Sequence, residues 1–348
     1  MSNTLGDKFR VTTYGESHGL AVGGIIDGCP SGIRLDLDAI KTDLARRRQG
    51  ALRQEEDEIE WLSGLKYPSV SLAADSSPKT GEQPVTLGTP IAFTIRNKNT
   101  RSEDYDQLVD CYRPGHADYT YQQKYSIRDH RGGGRASARE TVVRVVAGAI
   151  AKQIIAPIEI QAFSEGERLK VKGETNEPLS DTFGGVVSCR ITGLPAGVGE
   201  PIFDKLNAHL AFAMMSIPSA IGFEMGAGFK AAEMMGSEYI DRWKGERSKV
   251  KGETEEIQPF TSHLSPLTLT NHCGGVQGGI SNGMPVEFRV AFHPVPTLPQ
   301  PVECLTADGG LRTLQISGRH DRYQVPRAAV VVEAMAAMVI ADYLLDNR

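Results

Sequence analysis

Apolar and polar positions alternate over several short stretches of the chain and fall on one face at helical spacing in others. Phe9 to Thr13 predicts a short strand that runs into Tyr14-Gly15-Glu16-Ser17-His18-Gly19, a turn in which two glycines bracket three polar side chains. Gly23–Ile26 predicts a second strand and Asp27–Ile33 a turn. Leu37, Ile40 and Leu44 then share a helix face, with Asp36 or Asp38 as N-cap and Arg46-Arg47-Arg48-Gln49-Gly50 at the far end. Alternation from Gly88 to Ile95 predicts another strand. The apolar run after Ser137 predicts a helix over roughly Ala138–Ile155. Ser164–Ser180 is charged and broken by Gly and Pro, as an exposed connection is, and Asp241–Glu256 reads as a solvated excursion.

The order then repeats. Ile191–Val198 echoes Ile26–Ile33, and a helix follows each, the second with Phe203, Leu206 and Leu210 on one face. Gly283–Val290 echoes the strand that begins at Gly88. The last helix opens with Arg327-Ala328-Ala329-Val330-Val331, as the earlier one opens with Arg139-Glu140-Thr141-Val142-Val143. Three matches in one order predict two similar halves, roughly 1–160 and 181–348, about a pseudo-twofold axis within a single domain. Gly318-Arg319-His320-Asp321 takes, in the second half, the place before the helix that a glycine loop holds in the first. Function is expected where the halves meet.

Composition narrows the class. The 348 residues suffice for a large core, and 40% hydrophobic with 23% charged residues is ordinary for a soluble protein. A net charge of −5 argues against a general nucleic-acid surface. The five cysteines are odd in number and form no CxxC pair, so neither a zinc site nor a disulfide framework is indicated. A reducing, cytoplasmic setting fits. The N-terminal residues lack the apolar segment of a signal peptide. The apolar run Ala328–Ala341 is interrupted by Glu333 and is too short to span a bilayer.

Against that acidic background, Arg113–Thr141 holds Arg113, Arg128, Arg131, Arg135 and Arg139, with His116 and His130 among them and three glycines at Gly132–Gly134. Arginine offers a planar fork matched to carboxylate and phosphate. Glycines without Cβ let backbone N–H groups approach a ligand, and a helix start directly after them favours anions. The stretch reads as an anion-binding active site. Arg46–Arg48 suits a helix C-terminus or, more sharply, a second anion patch. Asn271–Ser281 is another glycine-rich loop, either a tight turn or a wall against a flat ligand. No GxGxxG stands in dinucleotide-binding register and no GxxxxGK[ST] is present.

These segments are similar to the motifs of the chorismate synthase family: GESHG at Gly15–Gly19, RRR at Arg46–Arg48, RPGHAD at Arg113–Asp118, RDHRGGGRASARET at Arg128–Thr141, NHCGGVQGGIS at Asn271–Ser281 and GRHD at Gly318–Asp321. The chain resembles that family over nearly its whole length. The resemblance implies an α+β fold, a β-α-β sandwich with a helical layer between antiparallel sheets, assembled as a homotetramer. It implies conversion of 5-enolpyruvylshikimate-3-phosphate to chorismate and phosphate by 1,4-anti elimination, with reduced FMN required although the reaction is redox-neutral.

The resemblance assigns His18 to protonating reduced flavin, His116 to the departing phosphate, and Asp321, helped by Ser17 and Ser137, to the proton lost from carbon. It assigns substrate to Arg47, Arg53, Arg113, Arg139 and Arg319, and an NADP contact to Arg47 and Arg53. FMN is expected against Arg135, Ala136, Ser137, Pro218, Ser219, Gly278, His293, Pro294, Val295, Pro296, Thr297 and Arg319. No metal is implied. NADPH is expected only as a flavin reductant, with an external flavin reductase as partner, because 348 residues leave no evident reductase module.

The chain departs from the family pattern in places. Gln49-Gly50 follows the arginine triplet where Pro-Gly is usual, and acids fill Glu55–Glu58 after a shortened loop. His293-Pro294-Val295 replaces Lys-Pro-Thr, and Arg322 follows Asp321 where proline is usual. Two other classes stay open on the residues alone: an FMN-dependent oxidoreductase with net hydride transfer, and a non-catalytic polyanion-binding protein.

Overall fold

The computed structural model describes residues 3–49, 55–67, 82–165, 181–244, 267–316 and 321–346. Its alternating segments pair into two antiparallel sheets. Strands β1 (Thr4–Leu5), β2 (Arg10–Gly15), β3 (Ala21–Asp27), β4 (Ile59–Trp61) and β5 (Ile91–Arg96) form a five-stranded sheet in the order β1-β2-β3-β5-β4. Strands β6 (Glu159–Glu165), β7 (Gly185–Thr192), β8 (Ala220–Met225) and β9 (Val286–Phe292) form a second in the order β6-β7-β9-β8. In β9 the period of two is complete: Val286, Phe288, Val290 and Phe292 are buried and the residues between them less so.

Helices fill the space between the sheets, apart from a short, largely exposed one at Asp118–Tyr125. Those of eight or more residues among the described residues are α1 (Leu37–Arg48), α2 (Asp118–Tyr125), α3 (Thr141–Ile154), α4 (Leu206–Met215) and α5 (Val325–Asp346). The run β2-β3-α1-β4-β5 followed by α3 has the same sheet order as β6-β7-α4-β8-β9 followed by α5. Helices α3 and α5 pack on each other, α3 against β3 and α5 against β6 and β7, which makes the sandwich. A helix apolar on all sides has to be interior. Val142, Val143, Val145, Val146 and Ile150 of α3 are fully buried, as are Val332, Ala336 and Ile340 of α5. Val325–Leu345 is apolar and long enough to cross a membrane by composition, but 78% of that apolar window is buried inside the fold.

Two glycines make the layers possible. A Cβ on Gly24 would lie 2.6 Å from Val143 Cγ1, and one on Gly148 would lie 2.3 Å from Ala334 Cα. Only bare backbone admits α3 that close to the sheet and to α5. The one acid in the middle of α5, Glu333, is 3% exposed yet fully paired. It accepts from Arg46 at 2.7 Å twice, from Lys152 at 2.8 Å and from Ala162 N at 2.9 Å. Burial works to raise its carboxyl, but Arg46 and Lys152 outweigh that and hold it below its usual value.

Several sequence expectations shift in detail. Asp36 is the N-cap of α1, accepting from Asp38 N and Ala39 N, while Asp38 lies in the first turn. The strand expected from Gly88 begins at Ile91. The helix expected from Ala138 opens with 3-10 turns at Gly134–Ala136 and Ala138–Glu140, because Ser137 between them is extended. Phe203 is not on the helix face: it precedes α4 and is 87% exposed, leaving Leu206 and Leu210 as the buried positions. β6 pairs with β7, so the stretch after Ser164 connects neighbouring strands of the second sheet, and the change of sheet falls before Glu159. Residues 166–180, and 245–256 of the expected excursion, lie outside the described residues.

Candidate active site

A cavity of about 730 Å³ opens where elements of the two sheet-helix units converge. One wall is the glycine loop. Gly132, Gly133 and Gly134 all have positive φ (61, 80 and 52°), a run that only glycine adopts without strain. Arg135, Ala136 and Ser137 continue it. The second unit contributes Pro218, Ser219, His293, Val295, Pro296, Thr297 and Asp321 to the lining. Ser219 holds a positive φ of 71°, and strained non-glycine backbone of this kind clusters at binding sites.

His116 and Arg113 also line the cavity, on a loop presented by a small sheet of Cys111–Tyr112, Val302–Thr306 and Leu311–Leu314. His116 Nδ1 lies 3.0 Å from Pro114 O and Nε2 lies 3.0 Å from Thr297 Oγ1. A carbonyl only accepts, so Nδ1 carries hydrogen, and in the neutral ring Nε2 accepts from the Thr297 hydroxyl. A second proton on Nε2 makes His116 an acid at the cavity. Arg113 is pinned: Asp118 accepts from its Nε at 2.8 Å, its Nη2 at 2.9 Å and its backbone N at 3.1 Å. Burial pushes the Asp118 carboxyl up, but Arg113 prevails and holds it below the usual range.

Arginines of the same stretch divide their work. Arg128 turns inward to the carbonyls of Leu108 and Cys111 and stacks 5.1 Å from the Tyr112 ring. Arg135 donates to Thr13 O at 2.8 Å. The Nη1 atoms of Arg128 and Arg135 are buried without a hydrogen-bond partner, a state that a bound anion relieves.

Ser17 and His18 stand just behind this wall. A Cβ on Gly132 would lie 2.5 Å from His18 Cδ2 and 3.2 Å from Ser17 Oγ, and Ser17 N donates to Gly134 O at 3.1 Å. Asp321 pairs with Arg327 at the start of α5.

The remaining predicted residues are placed elsewhere. Arg46 is consumed by Glu333 and Asp43, and Arg48 by the carbonyls of Glu55 and Glu56, so the triplet does not form one patch. Arg47 donates to Thr141 Oγ1 at 3.0 Å and Ala138 O at 2.9 Å, beneath the cavity wall. Burial pulls its guanidinium down to about 10, with Asp57 opposing and Arg139 and Arg327 adding to the fall. Arg139 is likewise buried, paired with Asp57. Pro294 adjoins the lining without entering it, and its carbonyl lies 2.6 Å from His293 Nδ1. Gly278 lies in the turn between Val276–Gln277 and Ile280–Ser281, next to Gly279, whose carbonyl accepts from Leu206 N at 2.8 Å. It does not line the cavity. Arg53, Gly318, Arg319 and His320 lie outside the described residues.

Sequence reasoning missed Tyr105, Tyr121 and Gln324 in the lining. It also missed Asn97, whose side chain ties the GESHG turn to Arg139. None of the four stands in a motif; Tyr121 alone falls inside the arginine-rich stretch Arg113–Thr141. Among the described residues no group of three or more His, Cys, Asp or Glu stands where a metal could be held.

Fold and cavity together describe an α+β enzyme with an anion-ready cleft between two like units. The family model described as chorismate synthase matches residues 9–178 and 166–345. The chain is 43% identical to a chorismate synthase of Christiangramia forsetii, covering 99% of this chain and 98% of that one. It is 44% identical to one of Cytophaga hutchinsonii, covering 100% and 99%. A crystal structure of a chorismate synthase superposes with a TM-score of 0.70 at 28% identity, over 99% of this chain and 93% of the other. The chain belongs to the chorismate synthase family, a family of carbon–oxygen lyases.

Proposed function

We propose that the protein eliminates phosphate from 5-enolpyruvylshikimate-3-phosphate in a 1,4-anti sense to give chorismate, the seventh step of the shikimate pathway toward aromatic amino acids. The observation that carries this reading is His116, held in one tautomer by Pro114 O and Thr297 in the lining of an arginine- and glycine-walled cavity. A leaving phosphate needs a proton donor charged near neutrality, and an imidazole among anions meets that need. Asp321 is the acceptor for the proton lost from carbon, and its carboxylate lines the cavity while paired with Arg327. Ser17 and Ser137 flank the glycine loop, and His18 supplies a second proton-carrying ring behind Gly132.

The residues fit a flavin phosphate and ring. The Nη1 of Arg128, buried without a hydrogen bond, and that of Arg135, with only the Glu140 carboxylate at 4.0 Å, suit an anion, and the Cβ-free wall together with Pro218-Ser219 and Val295–Thr297 suits a ring. Reduced FMN, when bound, supplies transient electron density to the allylic system. NADPH enters only as the reductant of that flavin, delivered by an external flavin reductase. We also propose one domain of two similar halves, supported by the equal strand orders, a homotetramer, and a cytoplasmic setting without nucleic-acid or membrane partners.

The test is anaerobic: purified protein, dithionite-reduced FMN and 5-enolpyruvylshikimate-3-phosphate, with phosphate and chorismate followed together. Stoichiometric release of both with flavin left reduced is expected. Flavin oxidised in step with product would favour the hydride-transferring oxidoreductase instead.

A further inference from the structure

Asn97 follows β5 and stands in none of the motifs. Its side-chain amide has one possible orientation. Arg139 Nε, which can only donate, lies 2.9 Å from Oδ1, and Nδ2 lies 3.0 Å from Glu16 O and 2.9 Å from Gly19 O, which can only accept. Both hydrogens of its amide nitrogen therefore span the ends of the turn that carries Ser17 and His18, its oxygen is held by Arg139, and its backbone N donates to Leu20 O at 3.0 Å. Behind it Arg139 is fixed by Asp57, whose side chain is fully buried and whose backbone holds a positive φ of 52°. Ahead of it, the segment that begins at Asn97 supplies the partners of the His18 ring. Ser102 Oγ lies 3.0 Å from Nδ1, and Tyr105 packs edge-on with ring centroids 5.1 Å apart.

We propose that Asn97, backed by Arg139 and Asp57, is a positioning residue that fixes the Glu16–Gly19 turn and with it the pose of His18 behind the cavity wall. Arg139 reaches the turn through Asn97 with its Nε, while its Nη2 is buried without a hydrogen bond and stays open to the substrate contact that the family resemblance predicts. The inference rests on His18 having the role given above.

Asn97→Asp is the direct test. A carboxylate still accepts from Arg139 but faces the two turn carbonyls with no hydrogen to offer. In protein labelled at histidine Cε1, the His18 resonance, identified by its loss in His18→Ala, is expected to move while those of the other seven histidines stay. Turnover is expected to fall about 10- to 100-fold with KM little changed, since a displacement near 1 Å can cost ~10²-fold. In the His18→Ala background the same substitution is expected to cost nothing further. Should Asn97→Asp unfold the chain, Asn97→Ser, which adds no charge and cannot bridge the turn, carries the same expectations. An unmoved His18 resonance, or equal losses of turnover in both backgrounds, overturns the proposal. Wild-type turnover in His18→Ala alone would refute the role of His18 instead, and the resonance would still judge the positioning.

Discussion

His116 touches protein at both ring nitrogens, 3.0 Å each, so its ring cannot turn over without breaking a contact. His116→Ala is expected to lower turnover by about 10²–10⁴-fold, the usual worth of a positioned acid, with an unchanged circular-dichroism melt. Near wild-type phosphate release would remove His116 from the mechanism. Glu333 belongs to the same scale but to stability. Its folded value lies below the ordinary glutamate value, so its contribution is present above that ordinary value and is lost as pH falls through the depressed one. Glu333→Gln leaves Arg46 and Lys152 facing a neutral amide in the interior and is expected to cost about 3–5 kcal/mol. Denaturant melts at neutral pH and near pH 4 should show the variant's deficit shrinking on acidification. A deficit that is equal at both values would contradict the linkage.

At the scale of elements, the contact of α3 with α5 is the tightest constraint. Alanine normally favours a helix over glycine by about 1 kcal/mol. At Gly148 the sign is expected to reverse, because the new methyl would stand 2.3 Å from Ala334 Cα and has no flexible neighbour to push aside. Gly148→Ala is expected to destabilise by about 1–3 kcal/mol, measured by urea melts. A more stable variant would mean that the helices can separate at little cost. The 3-10 turns before α3 matter in another way. They aim Ser137 and Arg135 at the cavity side while Arg139 turns back toward Asp57, which a continuous helix from Ala138 would not do.

For the whole molecule, the cavity draws on residues from 16 to 138 and from 218 to 324, so neither half holds the site alone. The surface around α4 exposes Ile202, Phe203 and Phe212, at 65, 87 and 66%. Apolar exposure of this size fits a chain that assembles with copies of itself. Sedimentation is expected to give a tetramer, and Phe203→Asp with Phe212→Asp to shift it toward smaller species. A monomer at micromolar concentration in the unaltered protein would refute the assembly.

The sequence by itself determined four of the strands, the two apolar helices that follow Ser137 and Arg327, and the motif set that marks the family, because period, glycine placement and residue chemistry are local properties. It also carried the cavity's glycine loop and His116, whose motifs are contiguous. What each charge does was decided only in three dimensions. Arg46 meets Glu333 287 positions away, Arg139 meets Asp57 across 82, and Asn97 reaches back 81 to Glu16. An arginine in a motif looks the same whether it faces a ligand or a buried carboxylate. Only tertiary packing sets the partner, because the cost of burying a charge is met by whichever opposite charge the fold brings within reach.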